Sequence, residues 1–193
     1  MKSNKREDIL NAALVLFAER GFEGTTVPDI AKKANVGAGT IYRYFESKEM
    51  LLNVLYQKHL SHFKEILQND ILKEGTSVRE QFHQLFQNII MFANRNIYAL
   101  IFIDTQSYSH NLNEESFQQM LDFFASLGTM FEKGKQQGVI VPMPSSILLA
   151  MVYGSILYLY KTIRAGGLEE TPELLASMEE CCWNAICVHD QRV

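Results

Sequence analysis

The sequence predicts an all-α protein of about nine helices, with a short three-helix domain at the N-terminus and a longer helical domain after it. Three observations point there. Apolar residues recur at helical spacing along the chain. No stretch alternates apolar and polar residues for long, as a half-buried strand would. Only 4 of the 193 residues are proline, and these stand in helix first turns or in one short connection. With 47% apolar and 21% charged residues, the composition is that of a folded chain and excludes a disordered one.

Each element follows from local signals. Ile9, Ala13, Leu16 and Phe17 fall at i, i+4, i+7 and i+8, predicting a first helix over 6–20 that Gly21 stops. Thr26-Val27-Pro28-Asp29 reads as a capping box with proline in the first turn. It opens a short second helix with Val27, Ile30, Ala31 and Ala34 on its apolar face. Asn35 suits the left-handed conformation that ends a helix, Val36 can plug the corner, and Gly37 can cap the next start. A third helix over about 38–45 buries Ile41 and Phe45.

Ser47 caps a fourth helix over about 48–72. Its stripe is Leu51, Leu52, Leu55, Tyr56, Leu60, Phe63, Ile66, Leu67 and Ile71, and about 25 residues span roughly 37 Å. Further helices are predicted at about 76–95, 97–109, 114–137, 145–165 and 172–189. Gly138 and Gly166-Gly167 act as stops, and Thr171-Pro172 starts the last helix. The domain boundary is placed between 47 and 48.

Several function classes lose support. The N-terminus lacks the apolar segment and cleavage site of a signal peptide, so a cytoplasmic location is expected. The stretch from 136 to 160 carries no charge. Pro142 and Pro144 interrupt it, leaving about 24 Å of helix from Ser145 to Tyr160 against a bilayer core of about 30 Å. A buried helix is the better reading, and no membrane partner is expected. Cys181, Cys182 and Cys187 are odd in number and clustered, which argues against a disulfide framework. They read as small packed residues rather than, with His189, a metal site. His59, His62, His83 and His110 have no ligand or triad spacing, and no nucleophile is paired with a base. Neither an enzyme nor a bound metal or cofactor is expected.

The helix, tight turn and helix over 26–45 have helix-turn-helix spacing. Ile41 and Phe45 can anchor the second of these helices. Thr40, Arg43 and Tyr44 then occupy other faces, and Gly37, Ala38 and Gly39 keep its N-terminal end slim enough for close approach to DNA. A helix N-terminus also favours phosphate.

The run Gly21-Phe22-Glu23-Gly24-Thr25-Thr26-Val27-Pro28-Asp29-Ile30-Ala31, continued by Gly39-Thr40-Ile41-Tyr42-Arg43-Tyr44-Phe45 and Ser47-Lys48-Glu49, resembles the DNA-binding domain of the TetR family of bacterial transcriptional regulators. The resemblance covers about 45 residues; total length and helix plan agree with it. It implies that Thr26, Tyr42 and Lys48 contact phosphate, and that Ala38, Gly39, Thr40, Arg43 and Tyr44 face the groove of a double-stranded operator. Arg43 is the candidate for base readout, since arginine bidentate to guanine is the commonest specific contact. Asn35, Gly37 and Ala38 depart from the family pattern, and Ala38 removes a polar contact. Lys2, Lys5 and Arg6 could form an arm reaching phosphates or the minor groove, or a solvated terminus.

For the remainder, the resemblance implies effector binding and pairing. Met91, Phe92, Tyr98, Phe102, Tyr108, Phe117, Met120 and Phe124, with Phe63 and Met151, are candidates to line a pocket for a small hydrophobic or amphipathic effector; Phe123, Met130 and Phe131 add to this interior. Asp104 either anchors a cationic ligand or faces solvent. The helices at 145–165 and 172–189 match the family's homodimer pair, with Ala150, Gly154, Leu157, Tyr158, Met178, Cys182 and Ile186 as interface candidates. The expected function is a repressor released from a palindromic operator by its effector. The alternative is a helical lipid- or drug-binding protein without DNA binding.

The net charge of −4 looks unfavourable for DNA, but it is unevenly distributed. Residues 1–50 hold eight Lys or Arg against seven Asp or Glu, and residues 51–193 hold ten against fifteen. The acidity belongs to the second domain, and phosphate attraction by the first is modest.

Overall fold

A computed structural model of the protein describes residues 4–71 and 75–189. Lys2 of the N-terminal arm and the side chain of Ile71 lie outside the described residues. Among these there are nine α-helices: α1 Lys5–Arg20, α2 Val27–Lys33, α3 Ala38–Tyr42, α4 Lys48–Ile71, α5 Val78–Arg95, α6 Ile97–Gln106, α7 Glu114–Gln136, α8 Ser145–Arg164 and α9 Pro172–Ile186. The only pairing of extended backbone described is an isolated antiparallel bridge between Ile140 and Cys187.

The chain forms two compact units, Met1–Phe63 with Asn96–Leu121, and Lys64–Arg95 with Asp122–Val193. These packing units do not follow the boundary at 47/48. The reason lies in the first unit: Phe102 of α6 stacks on Phe17 of α1 at 6.0 Å and meets Tyr56 of α4 edge-on at 6.3 Å. Burial of these rings joins α6 and the start of α4 to the N-terminal helices. Tyr56 also shares a hydrogen bond with Ser107 at 3.0 Å, and burial pushes its phenol up to about 12. Asn53 binds the α6–α7 connection through both ends of its amide: it donates to the Asn111 carbonyl and accepts from the Asn113 N–H, each at 2.9 Å.

In the second unit Phe82 of α5 packs on Trp183 of α9 at 5.2 Å. Gly134 lets α7 approach closely; an added Cβ would stand 2.6 Å from Ile140 and 3.0 Å from Val78. The α8 helix is long and apolar enough to span a membrane by length and composition, yet Leu148, Leu149, Val152, Ile156, Leu157, Leu159 and Tyr160 are buried inside this unit.

Three helix ends differ from the sequence reading. The recognition segment is helical only to Tyr42, with a turn through Arg43 and Tyr44. The α6 helix stops at Gln106, where the Ser107 hydroxyl turns back to the Ile103 carbonyl at 2.6 Å. The α9 helix stops at Ile186 rather than 189, because the chain beyond it pairs instead: Val188 N–H donates to the Val139 carbonyl at 2.8 Å and Val141 N–H to the Ile186 carbonyl at 2.9 Å.

Candidate nucleic-acid interface

The first unit builds a reading head from α1, α2 and α3. Ile9, Leu10, Ala13, Leu16 and Phe17 of α1 are buried beneath it. The α1–α2 connection is fastened from inside. Thr25 is fully buried, and its hydroxyl donates to the Gly21 carbonyl at 2.8 Å, with that of Leu16 at 3.2 Å. At Gly24 a Cβ would lie 2.3 Å from the Arg20 carbonyl oxygen, a separation that forces the backbone to move.

Thr26 caps α2 as expected. Its hydroxyl accepts from the Asp29 N–H at 3.3 Å and donates to Oδ2 of Asp29 at 2.6 Å, while the Thr26 N–H donates to the same oxygen at 3.2 Å. These hydrogen bonds hold the Asp29 carboxyl below its ordinary value. The turn closes at Asn35, the one non-glycine residue described with positive φ, at 53°. Val36 N–H then returns to the Ala31 carbonyl at 3.0 Å, completing the left-handed cap.

Gly37 precedes α3 in extended conformation, and its carbonyl accepts from Thr40 N–H at 2.8 Å. Two side chains pin this helix: Ile41 is 2% and Phe45 1% exposed. Ala38, Gly39, Tyr42, Arg43 and Tyr44 are exposed around them, and Thr40 is half-buried. A Cβ built on Gly39 meets nothing within 4 Å, so nothing inside the protein demands glycine there. A slim segment, helical to Tyr42 and turning at Arg43 and Tyr44, thereby presents one arginine and two tyrosines outward.

Two expected phosphate contacts change character. Lys48 is not a free cation at the start of α4. Its ammonium donates to the Phe22 carbonyl at 2.9 Å and the Thr25 carbonyl at 3.0 Å, and stands 3.9 Å from the centre of the Phe22 ring. Two of its three donors are spent on the α1–α2 connection. Arg6 belongs to α1 rather than to an arm, and its guanidinium lies 5.5 Å from the Phe45 ring centre. Lys5 also lies in α1, exposed. The sequence reading missed Thr25, because two adjacent threonines carry no sign of which one turns inward.

The residues read as a pocket divide between the units. Phe63, Tyr98, Phe102, Tyr108, Phe117 and Met120 fall in the first; Met91, Phe92, Phe124 and Met151 fall in the second. Phe63, Phe92, Phe102 and Met120 are buried, while Tyr98, Met91, Phe124 and also Asp104 are half-buried. Tyr108 is 80% exposed on the turn after α6, so it lines no interior of its unit. Met151 is exposed too, and with Met178 and Cys182 it lines a groove of about 320 Å³ between α8 and α9.

Of the pairing candidates, Ala150, Gly154 and Tyr158 are exposed and Met178 is half-buried. Ala150, Gly154 and Tyr158, with Ile147 and Met151, mark one stripe along α8, at i, i+3, i+4, i+7 and i+11. Leu157, Cys182 and Ile186 are instead buried, so they back this face from within the protomer rather than form it. A further residue escaped the sequence reading. Glu179 of α9 is 5% exposed and accepts from Arg79 at 2.7 Å, from His83 at 2.9 Å and from Gln87 at 3.1 Å. Burial raises this carboxyl, but those hydrogen bonds outweigh it and hold it below the usual range. Its partners recur every fourth residue along one face of α5, a polar stripe that has no meaning until α9 is placed against it.

A helix-turn-helix with its second helix pinned from one side and open on the other, carried on a helical body, defines a DNA-binding regulator. Comparison with known proteins makes this specific. Residues 9–55 match the family described as bacterial regulatory proteins, tetR family, and residues 56–188 match the tetracyclin repressor-like C-terminal domain. A helix-turn-helix transcriptional regulator of Haemophilus influenzae is 27% identical over 190 residues, covering 96% of this chain and 97% of its own. A TetR-family regulator structure from Vibrio parahaemolyticus superposes with TM-score 0.71 at 28% identity, covering 96% of this chain and all of that one. The fold is shared with FadR of Bacillus subtilis, solved in complex with stearoyl-CoA (TM-score 0.68, 23% identity, 95% and 99% coverage). The chain belongs to the TetR family and is a ligand-responsive, DNA-binding transcriptional regulator.

Proposed function

We propose that the chain is a homodimeric repressor that leaves a palindromic operator when a small hydrophobic or amphipathic effector binds its helical body. Residues 1–47 read DNA and residues 48–193 sense and pair, in the cytoplasm. The observation that carries this reading is the exposed Ala38–Tyr44 segment fixed from beneath by Ile41 and Phe45. Arg43 reads a base, and Ala38, Gly39, Thr40 and Tyr44 lie against the groove. Tyr42 holds a phosphate, and Thr26 does so by turning its hydroxyl away from Asp29, to which it donates in this structure.

The exposed apolar stripe of α8 supports pairing with a second copy, since a contiguous apolar face marks an interaction surface. Two heads then meet major grooves about 34–36 Å apart. The stearoyl-CoA complex of the B. subtilis relative supports an apolar effector. Such a ligand needs only differential affinity of a few kcal/mol for the non-binding state to shift the population.

The test is a gel shift on DNA upstream of the gene, with wild-type protein and Arg43→Ala, on operator variants and random DNA. Base readout by Arg43 gives a loss of about 1–3 kcal/mol that vanishes when its base pair is changed. Equal loss on every sequence assigns Arg43 to phosphate, and no shift on any palindrome overturns the repressor reading.

A further inference from the structure

We infer that the groove between α8 and α9 binds Cu(I) through the sulfurs of Cys181, Met151 and Met178. The groove lies within the second unit and holds about 320 Å³. It is lined by Met151 and Ser155 of α8 and by Met178, Cys181, Cys182 and Ala185 of α9, so that four of its six side chains carry sulfur.

Three of these follow from helical spacing. Met178, Cys181 and Cys182 stand at i, i+3 and i+4, so they neighbour one another on one face of α9. The fourth is distant in the chain: packing of α8 on α9 sets Met151 across the groove from them. Apolar packing accounts for Cys182, which is buried. It does not account for the others. Cys181 is exposed, Met151 is 38% exposed and Met178 is half-buried. An ion therefore reaches them without a change of fold. Met151 also belongs to the exposed α8 stripe, but the groove is contained in one protomer, so loading is expected per chain.

Ligand softness selects the ion. Thiolate and thioether donors favour Cu(I), whereas carboxylate, carbonyl and water suit magnesium, calcium and manganese. The groove offers neither carboxylate nor imidazole, and the Ser155 hydroxyl is spent on the Met151 carbonyl. Among the described residues no group of three or more His, Cys, Asp and Glu could hold a metal, which argues against a zinc-type site and leaves thioethers as the added donors. Charge agrees with this choice. On binding, the S–H bond of Cys181 breaks, its proton passes to solvent, and the sulfur's electron pair forms the S–Cu bond, with copper remaining Cu(I). One thiolate then balances the single charge of the ion, and two neutral thioethers complete its shell without leaving a charge unpaired.

Anaerobic titration of the reduced full-length protein with Cu(I), in competition with the chelator bathocuproine disulfonate, tests the site. The protein is expected to retain about one Cu(I) per chain and to show a thiolate-to-copper charge-transfer band in the ultraviolet. Cys181→Ser removes that band. Leucine conserves the volume of methionine, so Met151→Leu and Met178→Leu keep the fold. Outer partners of metal ligands are worth about 10–100-fold in affinity, and loss of either thioether is expected to weaken copper by at least about 10-fold. Cys187→Ser, outside the groove, leaves binding unchanged. A wild-type protein that yields its copper to the chelator, full affinity in both methionine variants, or loss of binding on Cys187→Ser overturns the proposal. Binding is read without DNA, so failure of the repressor reading leaves this result standing.

Discussion

Lys48 stands 3.9 Å above the centre of the Phe22 ring while its ammonium donates to the Phe22 and Thr25 carbonyls. The first residue of α4 thus closes the connection through which α2 is aimed. Lys48→Met keeps the stem and removes those donors. Hydrogen bonds from a charged group contribute about 1.5–3 kcal/mol, so the variant is expected to melt earlier and to lose operator affinity on all sequences. The slope of log affinity against log salt separates this role from phosphate binding. A lost phosphate contact flattens the slope by about 0.9 per site; a positioning role leaves it unchanged. A flattened slope with an unchanged melting temperature would show that Lys48 meets DNA after all.

Gly39 gives the opposite signature. Alanine there meets no atom within 4 Å and the position lies in α3, where glycine costs roughly 0.5–1 kcal/mol relative to alanine. Gly39→Ala is expected to keep or raise the melting temperature and to weaken operator binding, since its methyl projects where the groove wall comes. Full binding by a correctly folded Gly39→Ala protein would remove this position from the interface.

Most of the fold was legible in the sequence, because capping chemistry is local. Thr26, Pro28, Asn35 and Thr171 announced their helix ends through short-range hydrogen bonds and backbone preference, and the structure places each at the expected cap. What was illegible depended on partners distant in the chain. Glu179 could not be read as a buried acid until α5 brought Arg79, His83 and Gln87 to it. The early end of α9 depends on pairing with 139–141, and the inward turn of Lys48 on carbonyls more than twenty residues away. For the reading head, Ile41 and Phe45 were recognisable anchors from their i, i+4 spacing. For the body, spacing showed that aromatic residues would be buried without showing which packing unit would bury them.

Pairing through α8 is tested at Tyr158, whose side chain is 73% exposed on a helix otherwise packed by Leu157 and Leu159. Tyr158→Glu places a charge at the C-terminal end of the apolar stripe without touching the protomer core. Sedimentation velocity is expected to move from dimer to monomer, with unchanged helicity by circular dichroism. Operator affinity falls steeply, since one head alone keeps only one half-site. A Tyr158→Glu protein that sediments as a dimer places the interface on another face.

His59 makes stability depend on pH in one direction. It lies buried in α4 with its Nε2 unpartnered among the described residues. Burial first, then the charges of Lys58 and His62, lower its pKa from 6.5 to about 4, with Glu7 pulling weakly the other way. The folded protein therefore keeps this imidazole neutral over a range in which the unfolded chain takes up a proton. Stability is full above about pH 6.5 and declines as pH falls toward 4, below which both states are protonated. One pKa unit corresponds to 1.36 kcal/mol, so the loss across that window is about 3 kcal/mol. Urea unfolding at pH 7, 6, 5 and 4 measures it, and His59→Gln isolates it from the carboxylates, which titrate in both proteins. The variant's stability is expected to fall less over this range, with the curves converging toward acid. Parallel curves for the two proteins would mean that His59 is solvated in the folded state.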